Sequence, residues 1–244
     1  MRATVNICIL LLGFLAHGLS AQLSGAYTIG GKAVARNFSN WNEFLDSFHQ
    51  YGVSSKVTVT LRDDFDLDTC ILFMVPSKNP TNSTNTLTIN GSNKWIKGKH
   101  KEGLIQLVGA DYITIRNLRI ENTSTESGVI GLRMGQRADF NTLDSCDIFL
   151  SGLSAFKQDS GAYVAIGALG KYIDVPIEKH AGIGNTISNG HFYPKDSNSS
   201  GPYFGIYDRQ GSKDYASIAT NNQFINNRID GFYSRGIYMA YVNG

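Results

Sequence analysis

Hydrophobic and polar residues alternate in four short stretches whose patterns align with one another. The stretches are ITIRNLRI (113–120), NTLDSCDI (141–148), NTISNGHF (185–192) and NQFINNRI (222–229). In each stretch the alternation slips by one residue near the middle, at Asn117, Ser145, Asn189 and Asn226. A slip of one residue between two short strands is typical of a tight corner, where asparagine tolerates the left-handed backbone that the turn requires. The pattern therefore predicts pairs of short strands joined at polar corners.

Stacked corners would also explain why asparagine recurs. If equivalent corners lie above one another at the strand spacing of about 4.8 Å, their amides can hydrogen-bond along the stack and satisfy one another. Asn226 is expected to be such a corner residue. Asn227 falls at the next inward position and must find a partner of its own.

Each stretch is followed by an apolar run that a glycine opens, at 128–134, 161–167, 201–207 and 236–239. The repeating unit is thus strand, corner, strand, loop, strand. The aligned positions 115, 143, 187 and 224 lie 28, 44 and 37 residues apart, which fits a coil of about 22 residues with insertions in its loops. We expect these insertions near 152–183 and 193–203.

Together these repeats predict an all-β fold, a right-handed parallel β-helix. An antiparallel sandwich is the alternative, since it also has short strands at regular spacing. A sandwich does not predict that a polar corner recurs at the same phase in four consecutive units.

An amphipathic helix is predicted before the repeats, over 40–52. Its apolar residues Trp41, Phe44, Leu45 and Phe48 follow helical spacing, Asn40 is the predicted N-cap, and Gly52 is the predicted stop. We expect this helix to cover the first coil, because exposed strand edges pair with other chains. Early strands are predicted at 26–31, 57–61, 70–75 and 86–91.

The first residues have the layout of a cleavable secretory signal, with Arg2 before an apolar run and small residues near Ser20 and Ala21. A buried N-terminal helix is the alternative. The predicted organisation is a signal peptide over 1–21, a cap with the first coils over 22–100, and coils over 101–244 that we expect to continue further. We therefore expect a secreted or cell-surface protein with no membrane span.

Charge and cysteine content narrow the function classes. Loss of residues 1–21 removes one of the 22 basic residues and none of the 20 acidic ones, which leaves a net charge of +1. This balance argues against a nucleic-acid partner. Cys70 and Cys146 would remain, and two cysteines are too few for a disulfide framework. They are expected to be small buried hydrophobic residues, with a bond between them as the alternative.

Several segments resemble the opening of secreted Bacteroidetes-type right-handed parallel β-helix repeat proteins. They include LSGAYTIGG, VTVTL, GADYITIRNLRIENTS and GIYMAY. The resemblance covers nearly the whole chain after the signal. It implies the β-helix fold, which polysaccharide lyases, pectin-type hydrolases, carbohydrate-binding surface proteins and adhesive stalks share. It does not imply one activity among these.

Catalytic motifs are incomplete in this sequence. The nearest fragments to the pectin-type hydrolase motifs are 141–143, 63–64, 189–192 and 228–230, and no pair of carboxylates can be assembled from them. No zinc spacing, nucleophile elbow or phosphate loop is present, so no cofactor is expected. The aspartates of 63–68 lack the calcium-loop pattern and are expected to form a solvated edge.

Candidate binding residues come from the outward positions of the coils. One predicted column contains Arg119, Asp147, His191 and Arg228, which could grip a polyanion or form a solvated face with paired charges. Tyr207 and Tyr238 occupy matching outward positions where their rings could stack on sugars. The predicted ligand-binding residues are Tyr207, Asp208, Arg209, Arg228 and Tyr238.

Three functions follow from these expectations. The first is a secreted module that engages extracellular or cell-surface polysaccharide without catalysis in this segment. The second is a polysaccharide lyase whose site lies in the 152–183 insertion or further downstream, with Lys157, Asp159 and His180 as the loop groups to test. The third is a structural stalk or adhesin.

Overall fold

The computed structural model describes residues 22–32, 34–156, 161–167, 182–196, 200–209, 219–240 and 242–243. The predicted signal, 1–21, lies outside this range, as do Lys157, Asp159 and His180. The described chain is mostly β-structure, with three parallel sheets and the helix α1 (Trp41–Tyr51). No helix in this described part is long and apolar enough to cross a bilayer.

The three parallel sheets contain eight, six and six strands. In spatial order, the first sheet contains β19 (Gln223–Ile225), β15 (Thr186–Ser188), β12 (Thr142–Asp144), β9 (Ile113–Arg116), β6 (Leu87–Asn90), β3 (Val53–Leu61), β1 (Leu23–Ile29) and β2 (Asn37–Phe38). The second contains β20 (Arg228–Ile229), β16 (His191–Pro194), β13 (Asp147–Leu150), β10 (Arg119–Asn122), β7 (Trp95–Gly98) and β4 (Phe65–Leu67). The third contains β21 (Arg235–Ala240), β17 (Phe204–Arg209), β14 (Ala162–Gly167), β11 (Ile130–Gly135), β8 (Glu102–Val108) and β5 (Ile71–Met74). A separate small sheet pairs β18 (Ala219–Thr220) with β22 (Val242–Asn243).

The chain visits the three sheets in a fixed order. From β3 to β17, successive strands enter the first, the second and the third sheet in turn. The same order holds for β19, β20 and β21. Neighbouring strands within each sheet pair in parallel. This arrangement is compatible with a parallel β-helix and contradicts the antiparallel sandwich.

The left-handed corners are confirmed at the four predicted positions. Asn117, Ser145, Asn189 and Asn226 have φ values of 50°, 52°, 53° and 52°. Each of these residues joins a strand of the first sheet to a strand of the second.

The predicted amide ladder at the corners is wrong. Among the described hydrogen bonds, none joins the side chains of Asn117, Asn189 and Asn226 to one another, and the Asn189 amide donates to Asp144 Oδ1 at 2.8 Å. Successive strands are linked at the corners through the backbone. The Asn117 N–H donates to the Asp144 carbonyl at 3.1 Å, and the Asn189 N–H donates to the Ile225 carbonyl at 2.9 Å.

An asparagine ladder does exist, at the start of the first-sheet strands. The Asn141 N–H donates to Oδ1 of Asn185 at 2.9 Å, and the Asn185 N–H donates to Oδ1 of Asn222 at 2.8 Å. At the other end, Oδ1 of Asn141 accepts the Ile113 N–H at 2.8 Å. Asn141 and Asn185 are buried, so each side chain satisfies a backbone group that water does not reach.

Asn227 finds a partner at the inward position that the sequence assigned to it. Its Oδ1 accepts the Gly190 N–H at 2.9 Å, and its Nδ2 donates to the Ile187 carbonyl at 2.7 Å. A side chain on Gly190 would crowd both Phe192 and Asn227. The small residue in one coil thus leaves room for the amide of the next.

Helix α1 buries the four apolar residues that the pattern selected, Trp41, Phe44, Leu45 and Phe48. Oδ1 of Asn40 accepts the Glu43 N–H at 3.0 Å, and Gly52 follows the helix with a φ of 66°. Phe44 and Phe48 make edge-on ring contacts with Phe73 of β5. The helix therefore packs onto the first strands and extends the core between the sheets.

The two cysteines are free thiols and are not bonded to each other. Cys146 is fully buried, and its burial raises the pKa of the thiol to about 12. Cys70 is half-buried, and burial raises the pKa of its thiol as well. Cys146 matches the expectation of a buried apolar residue, whereas Cys70 does so in part.

Candidate functional site

The outer face of the second sheet gathers the charged column that the sequence predicted. Register places Arg119 beside Asp147, Asp147 beside His191, and His191 beside Arg228. Trp95 of β7 extends the column on the other side of Arg119. These outward residues stand in line because successive strands pair in parallel without a register shift at these positions.

A second outward column runs beside the first. It contains Lys97, Glu121, Phe149 and Tyr193, with Asp230 directly after β20. We call the ten residues of the two columns the second-sheet face. They are Trp95, Lys97, Arg119, Glu121, Asp147, Phe149, His191, Tyr193, Arg228 and Asp230.

Charges on the second-sheet face are paired with one another. Lys97 Nζ lies 3.3 Å from Glu121 Oε2, and Arg119 Nε lies 3.5 Å from Asp147 Oδ2. Asp230 Oδ2 lies 2.9 Å from both His191 Nε2 and Arg228 Nε. The hydrogen bond from His191, followed by the charge of Arg228, holds the pKa of the Asp230 carboxyl below its usual range. The charge pairing expected of a solvated face is therefore present. That the column grips a polyanion stays the alternative prediction.

Aromatic rings on the second-sheet face stack along the columns. The Arg119 guanidinium carbon lies 4.1 Å from the centre of the Trp95 ring. Phe149 and Tyr193 stack with ring centres 5.0 Å apart, and His191 lies 4.5 Å from Tyr193. Partial burial raises the pKa of the Tyr193 hydroxyl. The rings are half-exposed and held in place by contacts with their neighbours.

Tyr207 and Tyr238 form the predicted pair, but the Tyr207 ring is not accessible to a ligand. Tyr207 and Tyr238 stack with ring centres 5.3 Å apart at an angle of 16°. Tyr207 is only 3% exposed, because it packs with Phe204 in an apolar cluster on the outer side of the third sheet. Tyr238 is half-buried beside them. The expectation that Tyr207 offers a free ring to sugars is therefore corrected.

Asp208 and Arg209 lie within β17 and not on a loop after it. Strand alternation turns Asp208 inward, in register with Ile166, and its side chain is fully buried. Nδ2 of Asn222 donates to Asp208 Oδ2 at 3.0 Å. Asp208 is thus an interior residue that faces the asparagine ladder. The side chain of Arg209 lies outside the described part of the structure.

Arg228 is the predicted site residue that the second-sheet face includes, and its side chain is 73% exposed. Sequence reasoning placed Arg119, Asp147 and His191 in the same column without assigning them to the site. It missed Trp95, Phe149 and Tyr193, although each occupies an outward strand position that alternation alone could have identified.

No cluster of three metal-ligating side chains is found among the described residues. Asp64, one of the aspartates of 63–68, instead accepts the Trp95 N–H at 2.8 Å. No known protein-family model matches the chain, and no curated protein or solved structure shows significant similarity to it. Function must therefore be inferred from the geometry of the chain itself.

Proposed function

We propose that this chain is a secreted right-handed parallel β-helix module that binds extracellular or cell-surface polysaccharide through the second-sheet face. The observation that carries this proposal is the ordered set of rings, Trp95, Phe149 and Tyr193, on one parallel sheet with paired charges between them. The fixed visiting order of the three sheets supports the β-helix, and the packing of α1 against β5 supports its role as the cap.

Rings and polar groups on a rigid sheet suit sugar recognition for two reasons. The half-exposed rings offer apolar surface at low conformational cost, because stacking against their neighbours has already ordered them. Carboxylates, guanidinium groups and imidazole at the ring edges can exchange hydrogen bonds with sugar hydroxyls. Because the strands repeat at about 4.8 Å, the face can contact several sugar units of one extended chain.

The paired charges on the second-sheet face indicate which type of polysaccharide it binds. The second-sheet face carries Lys97, Arg119 and Arg228 against Glu121, Asp147 and Asp230, and each of these groups lies in an ion pair. A polyanion would have to displace these carboxylates before it could bind the lysine and arginine side chains. A neutral polysaccharide is therefore the expected ligand.

A glycan array followed by calorimetry on the purified protein tests this proposal. The double variant Phe149→Ala/Tyr193→Ala should weaken binding of the retained neutral polysaccharide at least about tenfold, which corresponds to about 1.4 kcal/mol. Thr142→Ala, on the outer side of the first sheet, is the matched control and should leave the affinity unchanged. Retention of no polysaccharide, or equal affinity in the double variant, would refute the proposal and favour a structural stalk.

A polysaccharide lyase is the second candidate, and the His191–Asp230 contact of 2.9 Å favours it. A carboxylate that orients an imidazole is a common arrangement for a general base. The proton removed from the carbon next to a sugar carboxylate would pass to His191, and the electron pair left behind would form the double bond as the bond to the leaving oxygen breaks. The leaving oxygen would take a proton from water. Absorbance of that product, measured over a series of uronate polymers, should rise for the wild type and stay flat for His191→Ala. A flat trace with the wild type would contradict the lyase.

A further inference from the structure

A groove of about 270 Å³ lies at one end of the second sheet, between α1 and the segment 65–71. The helix side contributes Trp41, Asn42 and Leu45. The opposite side is formed by β4 and the turn that leads from it into β5, including Cys70. None of these residues belongs to the second-sheet face.

Strand β4 has an unpaired edge that faces away from the rest of its sheet. It pairs with β7 on one side, and the described residues supply no strand on the other. The first sheet extends further in this direction through β1 and β2, whereas the second sheet stops at β4. Free backbone N–H and C=O groups along such an edge are a template for an added strand.

A buried donor without an acceptor lies in the wall of the groove. Trp41 is 4% exposed, and its Nε1 has no hydrogen-bond partner within the described structure. An unsatisfied buried donor costs about 1–3 kcal/mol.

Charge on the rim indicates the chemistry of the ligand. Asp66 and Asp68 line the groove and are exposed, and the described contacts pair neither of them with a cation. Phe65 and Leu67 alternate with them as half-buried apolar residues. A strand with basic side chains toward the rim and apolar side chains toward the wall would complement this pattern.

We propose that the groove binds an extended, basic peptide segment of a partner protein, which adds a strand to the free edge of β4. Sugar stacking does not suit this site, because the buried Trp41 ring has no open face. The carboxylates of Asp66 and Asp68 select lysine or arginine at alternate positions. The backbone edge of β4 holds the main chain of the peptide.

Cys70 provides a direct readout of occupancy. Its half-buried thiol lines the groove, so a bound peptide should slow its alkylation by iodoacetamide. Cys146 is fully buried and serves as an internal control for unfolding during the reaction. Mass spectrometry of the two cysteine-containing peptides gives both rates from one sample.

The probe is an acetylated, amidated hexapeptide of alternating lysine and valine. At ten times its dissociation constant it should slow alkylation of Cys70 about tenfold. Two matched peptides isolate the two contributions, one with glutamate in place of lysine and one with alternate backbone nitrogens methylated to remove edge donors. Both should protect Cys70 much less than the probe does.

Asp66→Asn and Asp68→Asn should each raise the dissociation constant about two- to fivefold, as expected for exposed ion pairs. Asp46→Asn, an exposed acid on α1 but outside the groove, should leave it unchanged. Lack of protection by the lysine peptide, equal protection by the methylated peptide, or stronger protection by a neutral oligosaccharide such as chitohexaose would each overturn the proposal. The first two outcomes leave polysaccharide binding at the second-sheet face untouched, whereas the third would place sugar binding in the groove.

Discussion

Individual corner residues determine where the chain changes sheets. Asn117, Ser145, Asn189 and Asn226 share a left-handed backbone that costs an ordinary residue about 1–2 kcal/mol and glycine almost nothing. Their side chains do not form a ladder, so the backbone requirement, and not stacking of amides, explains the recurrence of asparagine there. Serine at 145 shows that the corner tolerates a less suitable residue in one coil.

Asn117→Ala should lower the free energy of unfolding by about 1 kcal/mol, because alanine resists the φ of 50° at this corner. Asn117→Gly is the matched control and should retain or slightly raise stability. Urea unfolding followed by circular dichroism gives both values. Equal loss in the two variants would show that the amide, and not the backbone, matters at the corner.

Asn185 acts differently, since its side chain is buried within the ladder. Asn185→Ala removes the acceptor of the Asn141 N–H and should cost about 1–3 kcal/mol. Gln223→Ala changes an exposed residue in the same sheet and should stay within about 0.5 kcal/mol of the wild type. A small effect of Asn185→Ala would mean that the ladder adds little to stability.

The turns that lead from the third sheet back to the first contain two partly buried carboxyl groups, those of Asp111 and Asp139. Oδ1 of Asp111 accepts the Asp139 N–H at 2.7 Å, and Oδ1 of Asp139 accepts the Ile183 N–H at 2.8 Å. Partial burial, with the neighbouring Asp139 charge, raises the pKa of Asp111 to about 6 despite its hydrogen bond. Burial also raises the pKa of Asp139.

A carboxyl with a raised pKa in the folded state destabilises that state when it ionises. Stability should therefore fall as pH rises from about 4, near the unfolded value, to about 6 in the folded protein. Asp111→Asn keeps the acceptor oxygen and removes the charge. At pH 7 the free energy of unfolding of this variant should exceed that of the wild type by on the order of 1 kcal/mol, because water partly screens the half-exposed group. At pH 4 the two proteins should be equally stable.

Unfolding curves of the wild type and of Asp111→Asn, measured between pH 4 and pH 7, test this expectation. Asp46→Asn changes an exposed acid elsewhere and should follow the wild type at every pH. Parallel curves for Asp111→Asn and the wild type would show that Asp111 ionises freely in the folded protein.

For the molecule as a whole, alternation and its slips predict most of the fold. The period-two pattern predicts the strands, and the slip at Asn226 predicts a corner. Both features can be read from the sequence because each depends only on residues that are close together in the chain. The ladder of Asn141, Asn185 and Asn222 is harder to recognise, since its function depends on contacts between residues 37 to 44 positions apart.

The candidate site is less predictable for a related reason. Strand alternation places Tyr207 outward, but its burial comes from ring contacts with Phe204 and Tyr238 that no local pattern reveals. Asp208 has an inward position, but a charged side chain is not expected to point inward, so the sequence alone does not indicate its burial. Charge pairing on the second-sheet face follows from the register of the strands. The alignment of the four stretches in the sequence already gave this register.

Distances between spin labels test the parallel stacking of coils most directly. Outward residues of the first sheet form one column of Thr58, Thr88, Thr114, Thr142, Thr186 and Gln223. A label at Thr58 should lie about 14, 19 and 24 Å, backbone to backbone, from labels at Thr142, Thr186 and Gln223, because each strand adds about 4.8 Å. Pulsed electron resonance on a chain with Cys70→Ser measures this series. Distances that fail to increase in this order would contradict the parallel coil, and with it the second-sheet face.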